Sequence, residues 1–151
     1  GDLQEVIDRA REAGVGEILN IGFDAASIDD TIELSEKYGI VYAALGIHPH
    51  DASAWSDDLE DRLKRLLLRK KVVAVGEIGL DYYRDLSPRD VQQDVFRRQI
   101  GLALRVSKPI ISHCRDAFVE LVRILDEEGA SEAGGIVHAF SGGTDELWEV
   151  L

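Results

Sequence analysis

Short apolar runs alternate with longer amphipathic stretches along the chain. The opening "GDLQEVIDRAREAG" has the spacing of an amphipathic helix and predicts one over about 2–13. "GEILNIGFD" (16–24) predicts a strand. Ser27, with Asp30 three residues later, has the form of a capping box opening a second helix. "VYAALGIHPH" (41–50) is the next predicted strand, and Leu59, Leu63, Leu66 and Leu67 then form one helical stripe. "VVAVGEIGLDY" (72–82) reads as a strand. Ser87-Pro88 offers an N-cap with proline at the first position of a helix that runs to about Val106. "PIISHC" (109–114) is a strand, and Phe118, Leu121, Val122 and Leu125 stripe a helix that stops near Gly129. "GGIVHAFSGG" (134–143) is a fifth strand, and "TDELWEVL" starts one more helix.

Near-continuous apolar strands alternating with helices imply an α/β fold with a parallel sheet covered by helices. A doubly wound open sheet and a (β/α)8 TIM barrel both satisfy that pattern. Asp24, His48, Glu77, His113 and His138 each fall at the C-terminal end of a predicted strand, about one strand-helix unit apart. In a barrel these ends converge on one face; in an open sheet they fan apart. Convergence favours the barrel, but only about five of its eight strands are present, since such barrels take about 250 residues. Residues 1–151 are therefore expected to form one domain, a partial barrel.

Composition narrows the function. At 45% hydrophobic and 30% charged, the 151 residues are ordinary for a globular protein that can bury a core. No apolar run is long enough to span a bilayer, and the first residues lack the pattern of a signal peptide. A single cysteine, Cys114, excludes an internal disulfide and fits a reducing, cytoplasmic location. The net charge of −12 argues against a broad electrostatic grip on nucleic acid. A phosphate-bearing substrate then needs positive charge placed locally.

Imidazole and carboxylate together make a good divalent-metal set, and two histidines with one glutamate are a catalytic zinc set. Glu77, His113 and His138 offer that set from three consecutive strands. A carboxylate also bridges two metals, and a metal pair activates water and neutralises charge on a phosphoester or carbonyl oxygen. The competing reading is a strand-end histidine or glutamate merely hydrogen-bonded within a loop.

"LNIGFD", "ALGIHPHDA", "GEIGLDYYR", "ISHCRDA" and "HAFSG", in that order, resemble the TatD-type metal-dependent deoxyribonucleases, a family of amidohydrolase-like barrels. The resemblance covers essentially the whole chain. It implies a TIM barrel, a binuclear divalent-metal centre (Zn, Mn or Mg) and hydrolysis of DNA phosphodiesters. It implies Glu77 as the bridging carboxylate and catalytic residue, with His113 and His138 as ligands of one metal. The family's N-terminal His-x-His pair and C-terminal aspartate have no match here. The sequence is thus expected to correspond to strands two to six, holding one metal half-site.

Other residues carry paired expectations. His48 and His50 either line the substrate cleft and meet a phosphate, or fix a loop around Pro49. Arg84 and Arg115 either clamp phosphate through their forked donors or pair with Asp85 and Asp116 on the surface. Asp81 either orients a metal ligand or simply ends its strand. Asp116 reads as a helix N-cap, and Asp24 as a turn residue. Tyr82, Tyr83, Trp55 and Phe140 either stack on bases or pack the rim. Cys114 should face away from the axis if His113 faces it, because neighbours on a strand alternate.

Three functions fit. The first is a TatD-type hydrolase of DNA or another phosphoester. The second is an amidohydrolase-like enzyme on a lactone, ester or amide. The third is a catalytically incomplete fragment that self-associates through two open sheet edges.

Overall fold

Five apolar segments pair into one parallel sheet, and the order of pairing identifies the architecture. The computed structural model describes residues 2–145. Its elements are α1 (Leu3–Glu12), β1 (Ile18–Gly22), α2 (Ser27–Lys37), β2 (Val41–Leu45), α3 (Asp57–Leu66), β3 (Val72–Asp81), α4 (Arg89–Val106), β4 (Ile110–Arg115), α5 (Phe118–Glu127) and β5 (Gly135–Val137), with a 3-10 helix at Pro49–Ala54. The strand order is β1-β2-β3-β4-β5 and every pair is parallel. Each strand's neighbour in space is its neighbour in sequence. A doubly wound sheet instead reverses direction at a switch point, so the described residues form part of a (β/α)8 barrel. No helix among the described residues is long and apolar enough to cross a membrane.

The two faces of the sheet differ. Leu45, Val75, Ile78, Leu80 and Ile110 point outward into the main core against Phe96 and Ile100 of α4 and Leu121 and Ile124 of α5. Ala44, Ala74 and Ile111 form a smaller cluster, with Ile21 packed on it, on the other face. Cys114 packs against the outer core, as strand alternation requires once His113 points the other way.

The strands are shorter than their apolar runs suggest. β2 stops at Leu45, so His48 lies in a turn and His50 in the 3-10 helix. β5 stops at Val137, one residue before His138. Three expected caps are corrected. Asp24, not Ser27, receives the first N–H groups of α2, accepting from Ala26 (2.9 Å) and Ser27 (2.7 Å). Ser87 is no helix cap: its hydroxyl donates to the His50 carbonyl at 2.9 Å and accepts from the Ser53 N–H at 3.1 Å. Asp116 has a positive φ of 52° and makes no cap bond to α5. The helix expected from Thr144 begins there, but its remainder lies outside the described residues.

Two glutamines on α4 hold the strand ends in place. Gln99 is fully buried and takes both polar groups of Ile47: the Ile47 N–H donates to its Oε1 at 2.7 Å, and its amide donates back at 3.0 Å. Gln92 does the same for Asp81, accepting its N–H at 2.9 Å and donating to its carbonyl at 3.2 Å, and also donates to the Ser87 carbonyl at 2.8 Å. They are seven residues apart, so they share one face of the helix. Each pairs backbone groups that have left the sheet ladder and are shut off from water.

A Gln99→Leu substitution keeps the volume but leaves the Ile47 N–H and carbonyl unpaired. It is expected to lower unfolding free energy by about 2–4 kcal/mol. Arg105→Ala, at an exposed ion pair with Glu60 (3.9 Å), should change it by less than about 0.5 kcal/mol. Urea unfolding of the two variants checks this.

Candidate functional site

The site is built on an irregularity in β3. Val75, Ile78 and Leu80 all lie in the outer core, so the interval between the first two is one residue too long for simple alternation. The register shows the same: Gly76 pairs with Ile111 and Ile78 with Ser112, leaving Glu77 as the extra residue of a bulge. A bulge re-aims a side chain. Here it puts Glu77 on the inner face, where Asp81 also points. Gly79 lies opposite His113 with φ of 137°, and a side chain there would meet the His113 carbonyl oxygen at 2.1 Å. The glycines of "GEIGLD" thus let β4 come close enough for His113 to reach both carboxylates.

His113 bridges them. Its Nδ1 is 3.1 Å from Glu77 Oε1 and its Nε2 is 3.0 Å from Asp81 Oδ2. The same Asp81 oxygen is 2.9 Å from His50 Nε2. The other Asp81 oxygen accepts from the N–H groups of Tyr83 (3.1 Å) and Arg84 (2.7 Å). Asp81 is therefore a positioning group: one oxygen closes the turn after β3 and the other orients two histidines. Its side chain is 1% exposed.

His48 and His138 complete the cluster. Each places Nε2 3.9 Å from Glu77 Oε1. The His48 ring lies 4.3 Å from the His50 ring and 4.5 Å from the His113 ring, centre to centre. His138 is half-exposed, and its main chain is fixed by donation to the Ser112 carbonyl at 2.8 Å. His48, Glu77 and His113 offer ligand-type atoms within 4.8 Å of one another.

The charges follow from the contacts. Burial, with His113 and His50 alongside, pushes the His48 imidazole down to about 4 against the pull of Glu77 and Asp81. Burial also works against charge on His113, but its bonds to Glu77 and Asp81 outweigh that and raise its pKa. The His113 hydrogen bond holds Glu77 below the ordinary range despite burial. Burial opposes the Asp81 charge too, yet its bonds from Arg84, His50 and His113 bring it to about 2.

The donor set suits a divalent cation. Asp81 Oδ2 is an acceptor for His113 Nε2–H, which leaves the His113 Nδ1 lone pair facing Glu77 Oε1 at 3.1 Å. Two acceptors that close need a cation between them, either a proton or a metal ion. Ligand bonds of about 2.1 Å let one ion serve both.

The remaining candidates sort by position. Arg115 is two residues beyond His113 on β4, hence on the same face, and its guanidinium stacks 3.7 Å from the Tyr83 ring centre. Arg84 is exposed on the turn after β3. Neither has an ion-pair partner among the described residues, so the expected pairs with Asp85 and Asp116 do not form; Asp85 pairs with Arg89 at 3.1 Å. Asp24 is spent on α2 and takes no part in the cluster. Tyr82 and Trp55 pack on the core, and Phe140 meets Phe118 edge-on at 5.9 Å. Gln92 and Gln99 are not among the residues singled out from the sequence; their only signal is that they are polar residues on an otherwise apolar helix face.

Comparison with known proteins agrees with this geometry. The family model described as TatD related DNase matches residues 1–151. The chain belongs to the TatD family. It is 48% identical over 150 residues to the Bacillus subtilis protein named uncharacterized metal-dependent hydrolase YabD, covering 99% of this chain and 59% of that protein. It is 38% identical over 147 residues to the 3'-5' ssDNA/RNA exonuclease TatD of Pantoea vagans, covering 97% and 56%. The crystal structure of YJJV, a TatD homologue from Escherichia coli, superposes with a TM-score of 0.89 at 36% identity, over 97% of this chain and 57% of that one. A TatD family hydrolase from Entamoeba histolytica gives 0.90 at 28%, over 99% and 53%. The chain thus spans a little over half the length of the relatives it matches.

In the metal-free chain, His48 should titrate near pH 4 and His113 above the ordinary histidine value, so that at pH 5–6 one ring is neutral while its neighbour is charged. Ring-proton NMR shifts followed from pH 3 to 9 test this. A shared midpoint near 6.5 would contradict it.

Proposed function

We propose that residues 1–151 are the central part of a TatD-type barrel hydrolase that cleaves phosphodiester bonds of single-stranded nucleic acid, DNA in the first instance. Glu77, His113 through Nδ1 and His138 are its divalent-metal ligands. The observation that carries the reading is the 3.1 Å approach of His113 Nδ1 to Glu77 Oε1, fixed from behind by Asp81. The substrate class is supported by the names of the exonuclease relatives.

The chain's own residues divide the work. Glu77, Asp81 and His113 preorganise the ligand face before any substrate arrives, which is where catalytic electrostatics originate. A divalent cation, when bound there, polarises a phosphoryl oxygen and acidifies water. Zinc, manganese and magnesium all remain compatible with the donor set. Arg84 and Arg115 stand at the mouth with their guanidinium groups paired to no carboxylate among the described residues, and bind phosphates along the strand. Tyr83, 61% exposed beneath Arg115, presents a face to a base. Local cations of this kind let a chain of net charge −12 hold a polyanion. His50, oriented by Asp81, lines the same cleft.

A second property is supported by the sheet edges. β1 and β5 each pair with one strand only among the described residues, and Leu19 and Ile136 on them are 43% and 60% exposed. We propose that these edges associate with other copies when this chain is isolated.

Two measurements test these proposals. Metal analysis of the purified chain should find one divalent ion, lost in Glu77→Ala. In a protein carrying the complete barrel, that substitution should cut metal-dependent release of nucleotides from single-stranded DNA by at least about a hundredfold, the scale of losing a group that acts on the reacting charge. Faster turnover of a lactone or amide than of DNA in the same protein would move the assignment to a different substrate class. For association, light scattering of the isolated chain should give a mass that grows with concentration and falls to the monomer in Leu19→Lys/Ile136→Lys. A sharp monomer throughout would refute it.

A further inference from the structure

We infer that His48 serves this site as a neutral hydrogen-bond donor through Nε2, aimed at an anionic oxygen of the substrate, and not as a metal ligand. The inference rests on the metal-centre reading above and assigns a role within it. His48 and His138 both place Nε2 3.9 Å from Glu77 Oε1, and His48 also offers ligand-type atoms within 4.8 Å of those of both Glu77 and His113, so distance alone would make it a ligand. Hydrogen bonding separates them.

The main-chain N–H of His50 points at His48 Nδ1, 3.2 Å away. A backbone N–H only donates, so Nδ1 must accept. The one proton of the neutral ring then sits on Nε2, and a protonated nitrogen has no lone pair for a metal. No comparable bond reaches the His138 ring among the described residues, so none of them fixes its proton on Nε2.

His48 has little freedom to escape this arrangement. Its main-chain N–H donates to the Phe23 carbonyl at 2.8 Å, and its own carbonyl accepts from Asp51 at 2.9 Å. Pro49 follows it, and Gln99 clamps Ile47 before it. Its ring is packed between His50 and His113.

Among the described residues this donor has no hydrogen-bond acceptor. A separation of 3.9 Å from Glu77 Oε1 is beyond hydrogen-bond reach. Glu77 and His113 would hold a cation beside this donor, since ligand-type atoms of all three residues lie within 4.8 Å of one another, and a phosphoryl oxygen drawn to that cation would face the His48 N–H. A donor fixed before the substrate arrives stabilises negative charge growing on that oxygen, and a neutral imidazole is competent for the task.

The test is long-range 1H–15N NMR of this chain, first metal-free near neutral pH, then with one equivalent of zinc, then with inorganic phosphate. The expected metal-free spectrum shows His48 as the Nε2–H tautomer. Zinc should shift Nδ1 of His113 and leave the His48 Nε2 proton in place. Phosphate should move that proton downfield. His48→Gln, which keeps an N–H near the Nε2 position, should bind zinc and phosphate within about threefold of the parent. His48→Ala should keep zinc and lose about tenfold in phosphate affinity, as for a hydrogen bond to a charged group. A Nδ1–H tautomer, loss of the Nε2 proton on adding zinc, or unchanged phosphate affinity in His48→Ala would overturn the inference. Failure of zinc to bind at all would instead defeat the metal-centre reading, and the metal-free spectrum would still decide the tautomer.

Discussion

A parallel strand that ends inside a fold leaves polar backbone with no ladder to join, and every feature of this site follows from how that is resolved. The residues that carry chemistry sit where the ladder stops, because only there can side chains from several strands converge. Their main-chain groups still need partners. Two buried glutamines from α4 supply those partners, one at Ile47 and one at Asp81. One helix thereby sets the height of the His48 turn and of the Asp81 turn together, so the histidines of one loop meet the carboxylates of another strand. An apolar side chain at either position would pack as well and hold nothing.

The second constraint is the spacing of two carboxylates on one strand. Glu77 and Asp81 are four residues apart, and regular pleating would already put them on the same face, but it would send Val75 there too. The bulge at Glu77 separates the two demands: Val75, Ile78 and Leu80 stay in the outer core while Glu77 and Asp81 face inward. Gly79 sits between them where no Cβ fits. His113 then spans the pair with both ring nitrogens. The result is a graded electrostatic arrangement, with the more buried carboxylate orienting the ring and the less buried one sharing its ligand face.

Much of this was legible in the sequence. Alternating apolar runs and amphipathic stripes gave the strand and helix order, and polar residues at each strand end gave the convergence that favours a barrel. The opposed directions of His113 and Cys114 followed from pleating alone. What stayed hidden was which of several possible partners each polar side chain takes, near or far in the chain. Ser27, Ser87 and Asp116 had the right residue types for caps, but Asp24 took the first role and Ser87 was drawn to His50, 37 residues away. Asp81 looked like a strand terminator with an alternative, because its partners come from two other segments. Gln92 and Gln99 were unreadable, since a buried glutamine and an exposed one look alike until the helix has a neighbour.

The neighbouring rings of His48 and His113 show how finely such contacts divide function. Their centres are 4.5 Å apart and they share one oxygen of Glu77 as a near neighbour. Residue type and position alone give them the same role. Their hydrogen bonds make them opposites: a backbone N–H at Nδ1 forces the His48 proton outward to Nε2, while Asp81 takes the Nε2 proton of His113 and leaves Nδ1 as the nitrogen that faces Glu77. One ring is thereby a donor and the other an acceptor toward the same small volume. A cation and an anionic oxygen, placed side by side there, would each meet the complementary partner: His48 would keep its Nε2 proton, and the cation would take the place of the proton that joins His113 Nδ1 to Glu77 in the metal-free chain.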